Sequence, residues 1–222
     1  MSSLTLTAFR WVPPFAQGLV RDLRVRWALE EAGRPYQVRL IGPEDQKSPD
    51  YRALQPFGQV PAIEDGELRL FESGAIVLHI GEASPALMPS EPAARLRART
   101  WMFAALNTVE PPILTLNALG MSAPRSDGVG PVRDEVAARV DARLDGAAAF
   151  LADKDYLEGG FTAADLLMTT VLRILRDTDK VASRPVLAAY LRRCESRPAF
   201  AKALADQLAA FAQNPPATHG GG

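Results

Sequence analysis

The sequence predicts an α/β domain over residues 1–82 and an all-helical domain over residues 90–213. Three observations lead there. Short segments with apolar residues at every second position occur before residue 83 and not after it. Asp65-Gly66 supplies a hairpin turn between two of those segments. Two stretches of breaker residues, Gly81-Glu82-Ala83-Ser84-Pro85 and Pro89-Ser90-Glu91-Pro92, then separate them from long runs with helical periodicity.

In chain order, Leu4-Leu6-Ala8 and Tyr36-Val38-Leu40 read as strands, and Gly18 to Gly33 between them reads as a helix. Val20, Leu23, Trp27 and Ala28 share one face of that helix, and Gly33 ends it. A strand–helix–strand crossover makes the two strands parallel. Val60 to Ile63 and Leu68 to Phe71 follow as an antiparallel pair, and Glu72-Ser73 opens the next long helix.

Beyond the linker, Ala93 to Val109 is helical until Pro111-Pro112 stops it, and Val132 to Leu151 is a second long amphipathic run. Gly120 to Pro131, between them, reads as a mobile loop. Thr162 is placed as an N-cap, Asp165 can bond back to the cap amide, and Phe161 with Leu166 has the spacing of a hydrophobic staple. Leu166 to Leu175 is apolar nearly all round and is therefore the central buried helix. Pro185 and Pro198 start the last two helices, and Asn214 to Gly222 is a frayed tail.

Composition narrows the function. A chain of 222 residues with 47% hydrophobic content can bury a sizeable core. Its 25 Lys and Arg balance 26 Asp and Glu, so no net field recruits nucleic acid or an acidic membrane surface. One cysteine, Cys194, cannot form an internal disulfide and falls short of a structural metal site. Met1 to Phe15 lacks the pattern of a signal peptide, and no apolar run approaches the roughly 18 residues that span a bilayer. A cytoplasmic protein that handles a small molecule is the expectation.

The chemistry concentrates in Gly58-Gln59-Val60-Pro61-Ala62-Ile63 and Phe71-Glu72-Ser73-Gly74-Ala75-Ile76. Together they make a surface suited to a peptide backbone and an amino-acid head. The unpaired amides of a helix N-terminus take a carboxylate, the Ser73 hydroxyl adds a donor, and Glu72 accepts from an ammonium. Plain structural roles stand beside these: Pro61 as a strand-entry proline and Ser73 as a helix cap.

Four motifs in this order resemble the cytosolic glutathione S-transferases of bacterial type, with no class assigned: Ala28-Leu29-Glu30-Glu31-Ala32-Gly33, Gln59 to Ile63, Glu72 to Ile76, and Gly160 to Asp165 with Arg197-Pro198-Ala199-Phe200 downstream. The resemblance implies a thioredoxin-like N-terminal domain and an all-helical C-terminal domain, glutathione as co-substrate without a metal, a small apolar electrophile, and a homodimer. It assigns glutathione to Gln59, Val60, Pro61, Glu72 and Ser73, the cysteinyl backbone pairing with Val60 as an added strand if the Val60–Pro61 bond is cis. Lys47 is a weaker choice for the glycyl carboxylate. Phe15, Phe103 and Asn107 are the expected electrophile pocket, with Glu110 one turn from Asn107.

Relatives of this kind lower the thiol's pKa with a Tyr, Ser or Cys just after the first strand, and Ala8 to Asp22 contains none. Without a cysteine there, thiol transfer through an enzyme mixed disulfide is disfavoured, since Cys194 falls in a late helix. Arg21 is the catalytic candidate, because a cation beside the first amides of a helix pulls a thiol's pKa from about 8.5 toward neutrality. The competing reading makes Arg21, Arg24 and Arg26 a solvated helix face, or pairs Arg21 with a neighbour. His79 reads as a packing or interface residue. The alternative to an enzyme is a non-catalytic glutathione-binding or adaptor protein on the same fold.

Overall fold

The computed structural model describes residues 4–122 and 129–216, and the chain divides into two compact units. One holds the described residues up to Ala83 together with the segment from Pro198, and the other runs from Ser84 to Arg197.

The first unit contains β1 (Leu4–Phe9), α1 (Asp22–Glu31), β2 (Tyr36–Ile41), α2 (Pro43–Lys47), α3 (Pro49–Leu54), β3 (Ala62–Asp65), β4 (Leu68–Phe71) and α4 (Ser73–Glu82). Its sheet has the order β2-β1-β3-β4. As expected, β1 and β2 are parallel, from Leu4↔Tyr36 to Phe9↔Ile41, and β3 and β4 are antiparallel. Ile41 and Ala62 pack with Val60 and with Tyr51 and Leu54 of α3. Leu4, Leu6, Ala8 and Ile63, which alternate with that face, are buried too. The hairpin turn falls on Gly66-Glu67 with Asp65 still in the ladder opposite Leu68, and β3 begins at Ala62 rather than Val60.

α1 begins at Asp22, later than the expected start near Gly18. Gly18 sits at φ 76°, and the amides of Leu23 and Arg24 donate to the carbonyls of Val20 and Arg21, so the chain enters through tight three-residue turns. At the other end Gly33 lies at φ 60°, the left-handed conformation that closes a helix.

The helix predicted to begin at Pro198 is α11 (Pro198–Gln213), and it packs on α1. The Trp27 and Phe200 rings meet edge to face at 4.8 Å. The Gln207 amide donates to Asp22 Oδ1 at 2.6 Å and to the Val20 carbonyl at 3.2 Å. By contact the helical unit therefore ends at Arg197, short of the expected limit at 213, because the buried stripe Phe200, Ala203, Gln207 and Phe211 belongs to the first unit.

The second unit contains α5 (Pro92–Ala104), α6 (Glu110–Ser122), α7 (Gly130–Phe150), α8 (Ala163–Leu172), α9 (Asp179–Ala182) and α10 (Pro185–Glu195). Pro111-Pro112 does not stop the first of these helices. Ala105–Val109 widens into a π turn, with the Glu110 amide donating to the Ala105 carbonyl, and the helix continues as α6 through both prolines. Of the loop expected from Gly120 to Pro131, Gly120 to Ser122 belong to α6 and Gly130 and Pro131 to α7; residues 123–128 lie outside the described residues, as do residues 217–222 of the expected tail.

α8 is the central helix that its apolar sequence predicts, with every residue from Ala163 to Leu172 buried. The capping box is formed: Thr162 Oγ1 accepts from the Ala164 amide at 3.2 Å, and Asp165 Oδ2 accepts from the Thr162 amide at 2.8 Å. Asp165 Oδ1 also accepts from the Leu157 amide and the Tyr190 hydroxyl, at 2.9 and 3.0 Å. Burial raises the Asp165 pKa, and these donors oppose the rise. Among the described residues no helix is long and apolar enough to cross a membrane.

Candidate functional site

The register of the first unit decides which segments meet. β1 and β2 run parallel, and β3 runs against β1 with Thr7 opposite Ala62, so the chain leaves Phe9 and Ile41 at the sheet end where it enters Ala62. Ala62 also faces Phe71, the last residue of β4. Val60-Pro61 and Glu72-Ser73 therefore emerge side by side, with the segments after β1 and β2 close by. Val60 lies beyond the last paired residue of both ladders.

The approach to Val60 is held by side chains of α2 and α3. Tyr51 donates its hydroxyl to the Gln59 carbonyl at 2.6 Å, Gln46 donates its amide to the Gly58 carbonyl at 2.7 Å, and Arg52 donates to the Pro56 carbonyl at 2.8 Å. Burial pushes the Tyr51 hydroxyl up to about 12, so it stays a donor. Gly58 has φ +63°, and a Cβ there would lie 2.9 Å from the Gln46 carbonyl oxygen, so the turn excludes any other residue. The Val60–Pro61 bond is cis.

At the start of α4, Glu72 is exposed and makes no side-chain bond to the helix amides. Its backbone lies at φ 68°, an unusual value outside glycine that costs on the order of 1–3 kcal/mol. In that conformation its carbonyl takes the Ile76 amide at 3.0 Å while its side chain stays off the helix. Ser73 is buried at 4% exposure, and Arg24 of α1, buried at 3%, donates Nη1 to Ser73 Oγ at 3.2 Å.

The solvated face suggested for Arg24 and Arg26 is not found, since both are buried. Arg26 Nε donates to Asp22 Oδ2 at 2.8 Å inside the unit, and Gln207 takes the other carboxylate oxygen. Burial raises the Asp22 pKa against the pull of Arg26 and Gln207. Arg21 is half-buried and stands as the N-cap residue of α1, one position before the first turn in which the sequence had placed it.

The remaining candidates separate. Gln59 and Lys47 are exposed on the first unit, Lys47 within 3.9 Å of Glu44. Phe15 lies in a short 3₁₀ turn at 59% exposure. In the second unit Phe103 is 58% exposed and Asn107, within the π turn, is exposed, whereas Glu110 is buried and does not share their face. His79 pairs with Asp65 at 3.3 Å. Cys194 is fully buried and burial pushes its thiol up to about 12, so it is inert. Among the described residues no group of three His, Cys, Asp or Glu side chains is gathered as for a metal ion.

Sequence reasoning missed Arg24, Tyr51 and Gln46 as supports of this site. For Arg24 a signal existed. Residue 24 is four from Val20 and four from Ala28, so it stands in the buried stripe with Leu23 and Trp27.

Residues 8–82 match the family described as the glutathione S-transferase N-terminal domain. The chain is 30% identical over 216 residues to glutathione S-transferase 4 of Zea mays, covering 91% of this chain and 93% of that one. It is 32% identical over 197 residues to a glutathione S-transferase of Hyoscyamus muticus, covering 82% of this chain and 92% of that one. The crystal structure of glutathione transferase F7 from Populus trichocarpa superposes with a TM-score of 0.78 at 25% identity, over 92% of this chain and 99% of that chain. The sequence relatives named here are plant proteins, so the expected bacterial type is not supported.

Proposed function

Because the chain belongs to the glutathione S-transferase family, we propose that it holds glutathione at the strand ends around Val60 and Ser73 and activates the thiol for attack on, or reduction of, a small apolar electrophile. It is a transferase by family. The observation that carries the site is the pairing of Ala62 with Phe71, which sets the cis Val60–Pro61 bond beside Glu72-Ser73.

The γ-glutamyl carboxylate would meet the free amides of α4 and the Ser73 hydroxyl, and its ammonium would meet Glu72. The cysteinyl backbone would pair with Val60 beyond the sheet ladder. Gln59 and Lys47 are the groups offered to the glycyl carboxylate. On the first unit the exposed Phe15 is offered to the electrophile. The sulfur forms the new bond as a thiolate while the electrophile's leaving group departs, or its electron pair moves onto an acceptor atom. No Tyr, Ser or Cys stands between Ala8 and Asp22, and the Leu23 and Arg24 amides are taken by the Val20 and Arg21 carbonyls, so the thiolate rests on Arg21 at the start of α1. A homodimer in the cytoplasm completes the reading.

Titration of bound glutathione, followed by thiolate absorbance, tests it. The parent should form thiolate near neutral pH, and Arg21→Ala should shift that titration upward and slow conjugation with little change in glutathione affinity. An unmoved titration in the variant removes Arg21 from the stabilisation of the thiolate. No thiolate in the parent at saturating glutathione leaves a non-catalytic glutathione binder.

A further inference from the structure

We propose that Arg24 is a positioning residue for the γ-glutamyl carboxylate, acting through the hydroxyl of Ser73; the proposal rests on the glutathione site assigned above. Arg24 lies on α1 and Ser73 opens α4, two helices that pack together in the first unit. The contact joins residues 49 apart in sequence, and both partners are buried.

A guanidinium has five N–H donors and no acceptor, whereas a serine hydroxyl has one proton and two lone pairs. With Arg24 Nη1 at 3.2 Å, Ser73 Oγ must accept on that side. The serine's own proton is therefore turned away from the arginine and kept for another acceptor. Such an acceptor is what the carboxylate of a γ-glutamyl head supplies at a helix N-terminus.

A second consequence is selectivity. The device favours an anion over a neutral head group, which makes it a specificity element as well as an aid to affinity.

Three peptides separate this role from a merely structural one: glutathione, glutaryl-cysteinyl-glycine, which lacks the ammonium, and γ-aminobutyryl-cysteinyl-glycine, which lacks the carboxylate. Calorimetry on Arg24→Met should show about 10-fold weaker binding of the first two. The third should bind within about twofold of its affinity for the parent, because no carboxylate remains for the hydroxyl to meet. In turnover the loss should fall on KM for glutathione rather than on kcat.

Arg24→Met combined with Ser73→Ala should bind glutathione no worse than Ser73→Ala alone, since both changes interrupt one path. Equal losses for all three peptides, or additive losses in the double variant, overturn the proposal. If Arg24→Met does not fold, Arg24→Lys, which keeps the charge and loses the planar fork, should give a smaller loss with the same dependence on the carboxylate; a loss blind to the carboxylate overturns the proposal there too. If Ser73→Ala itself leaves glutathione binding unchanged, the underlying site is wrong. If Ser73→Ala weakens binding and the Arg24 variants do not, the site stands and only the role of Arg24 fails.

Discussion

Two helices of this chain open with a hydroxyl and an acid, and they use the pair in opposite ways. At α8, Thr162 and Asp165 turn inward: the hydroxyl and the carboxylate satisfy the free amides of their own helix, and Asp165 adds the Leu157 amide and the Tyr190 hydroxyl, at 0% exposure. At α4, Glu72 takes a left-handed backbone and keeps its carboxylate exposed and off the helix amides, while the Ser73 hydroxyl is held from behind by Arg24. The first arrangement consumes its polar groups internally and stabilises the fold. The second leaves an acid and helix amides to a partner from outside, at the cost of a strained residue.

The largest effect that tests this contrast is at Asp165. Asp165→Ala removes an acceptor from the Leu157 amide, the Thr162 amide and hydroxyl, and the Tyr190 hydroxyl, all inside the second unit. Leaving buried donors without partners should destabilise the protein by about 2–4 kcal/mol. Chemical denaturation measures it, and glutathione affinity in the folded fraction should match the parent. A variant as stable as the parent that no longer binds glutathione would reverse the roles given to the two helix starts.

How far each helix start could be read from sequence follows from the reach of its bonds. The α8 cap was legible because its partners are three residues apart, and the β3–β4 hairpin because its turn is local. The two motifs around Val60 and Ser73 were legible as a pair for the same reason. Contacts between distant segments were not. Arg24 reaches Ser73 across 49 residues, and Gln207 reaches Asp22 across 185, which draws α11 onto α1. Backbone choices that break a local rule were also hidden: nothing in the identity of Glu72 announces a positive φ, and nothing in Pro111-Pro112 announces the π turn that lets the helix continue.

The next effect in size is at α4. Glu72→Ala and Ser73→Ala should each weaken glutathione binding by about 1–3 kcal/mol, the loss expected for a hydrogen bond to a charged group. The stability of Glu72→Ala should fall far less than that of Asp165→Ala, because an exposed acid with no cap bond supports little of the fold, whereas Ser73→Ala also takes one acceptor from the buried Arg24 and should fall between the two. Replacing Glu72 by glycine should even stabilise the free protein, by removing the strain of its positive φ, while still weakening binding. Calorimetry and denaturation on the same samples separate the two quantities. Affinities unchanged in both alanine variants would make α4 an ordinary helix.

A third helix start gives the smallest effect and sets the scale for the other two. Glu91, before α5, accepts from the amides of Ala93 and Ala94 at 2.8 and 2.6 Å, the same bonding logic as Asp165 but with its side chain 60% exposed. Those two amide bonds hold its carboxyl below the usual glutamate range. A group with a lowered folded-state pKa adds stability that is fully present above the unfolded value, and that stability is lost as pH falls through the folded value. Glu91→Ala should therefore be slightly less stable than the parent at neutral pH. The gap should close as pH drops below the ordinary glutamate range, whereas water competing at the exposed carboxylate keeps it well under the gap seen for Asp165→Ala. Denaturation midpoints of parent and variant across that pH range measure it. A gap that persists at the acid end would mean that Glu91 sets the helix start through backbone geometry, and would remove charge from the account of that cap.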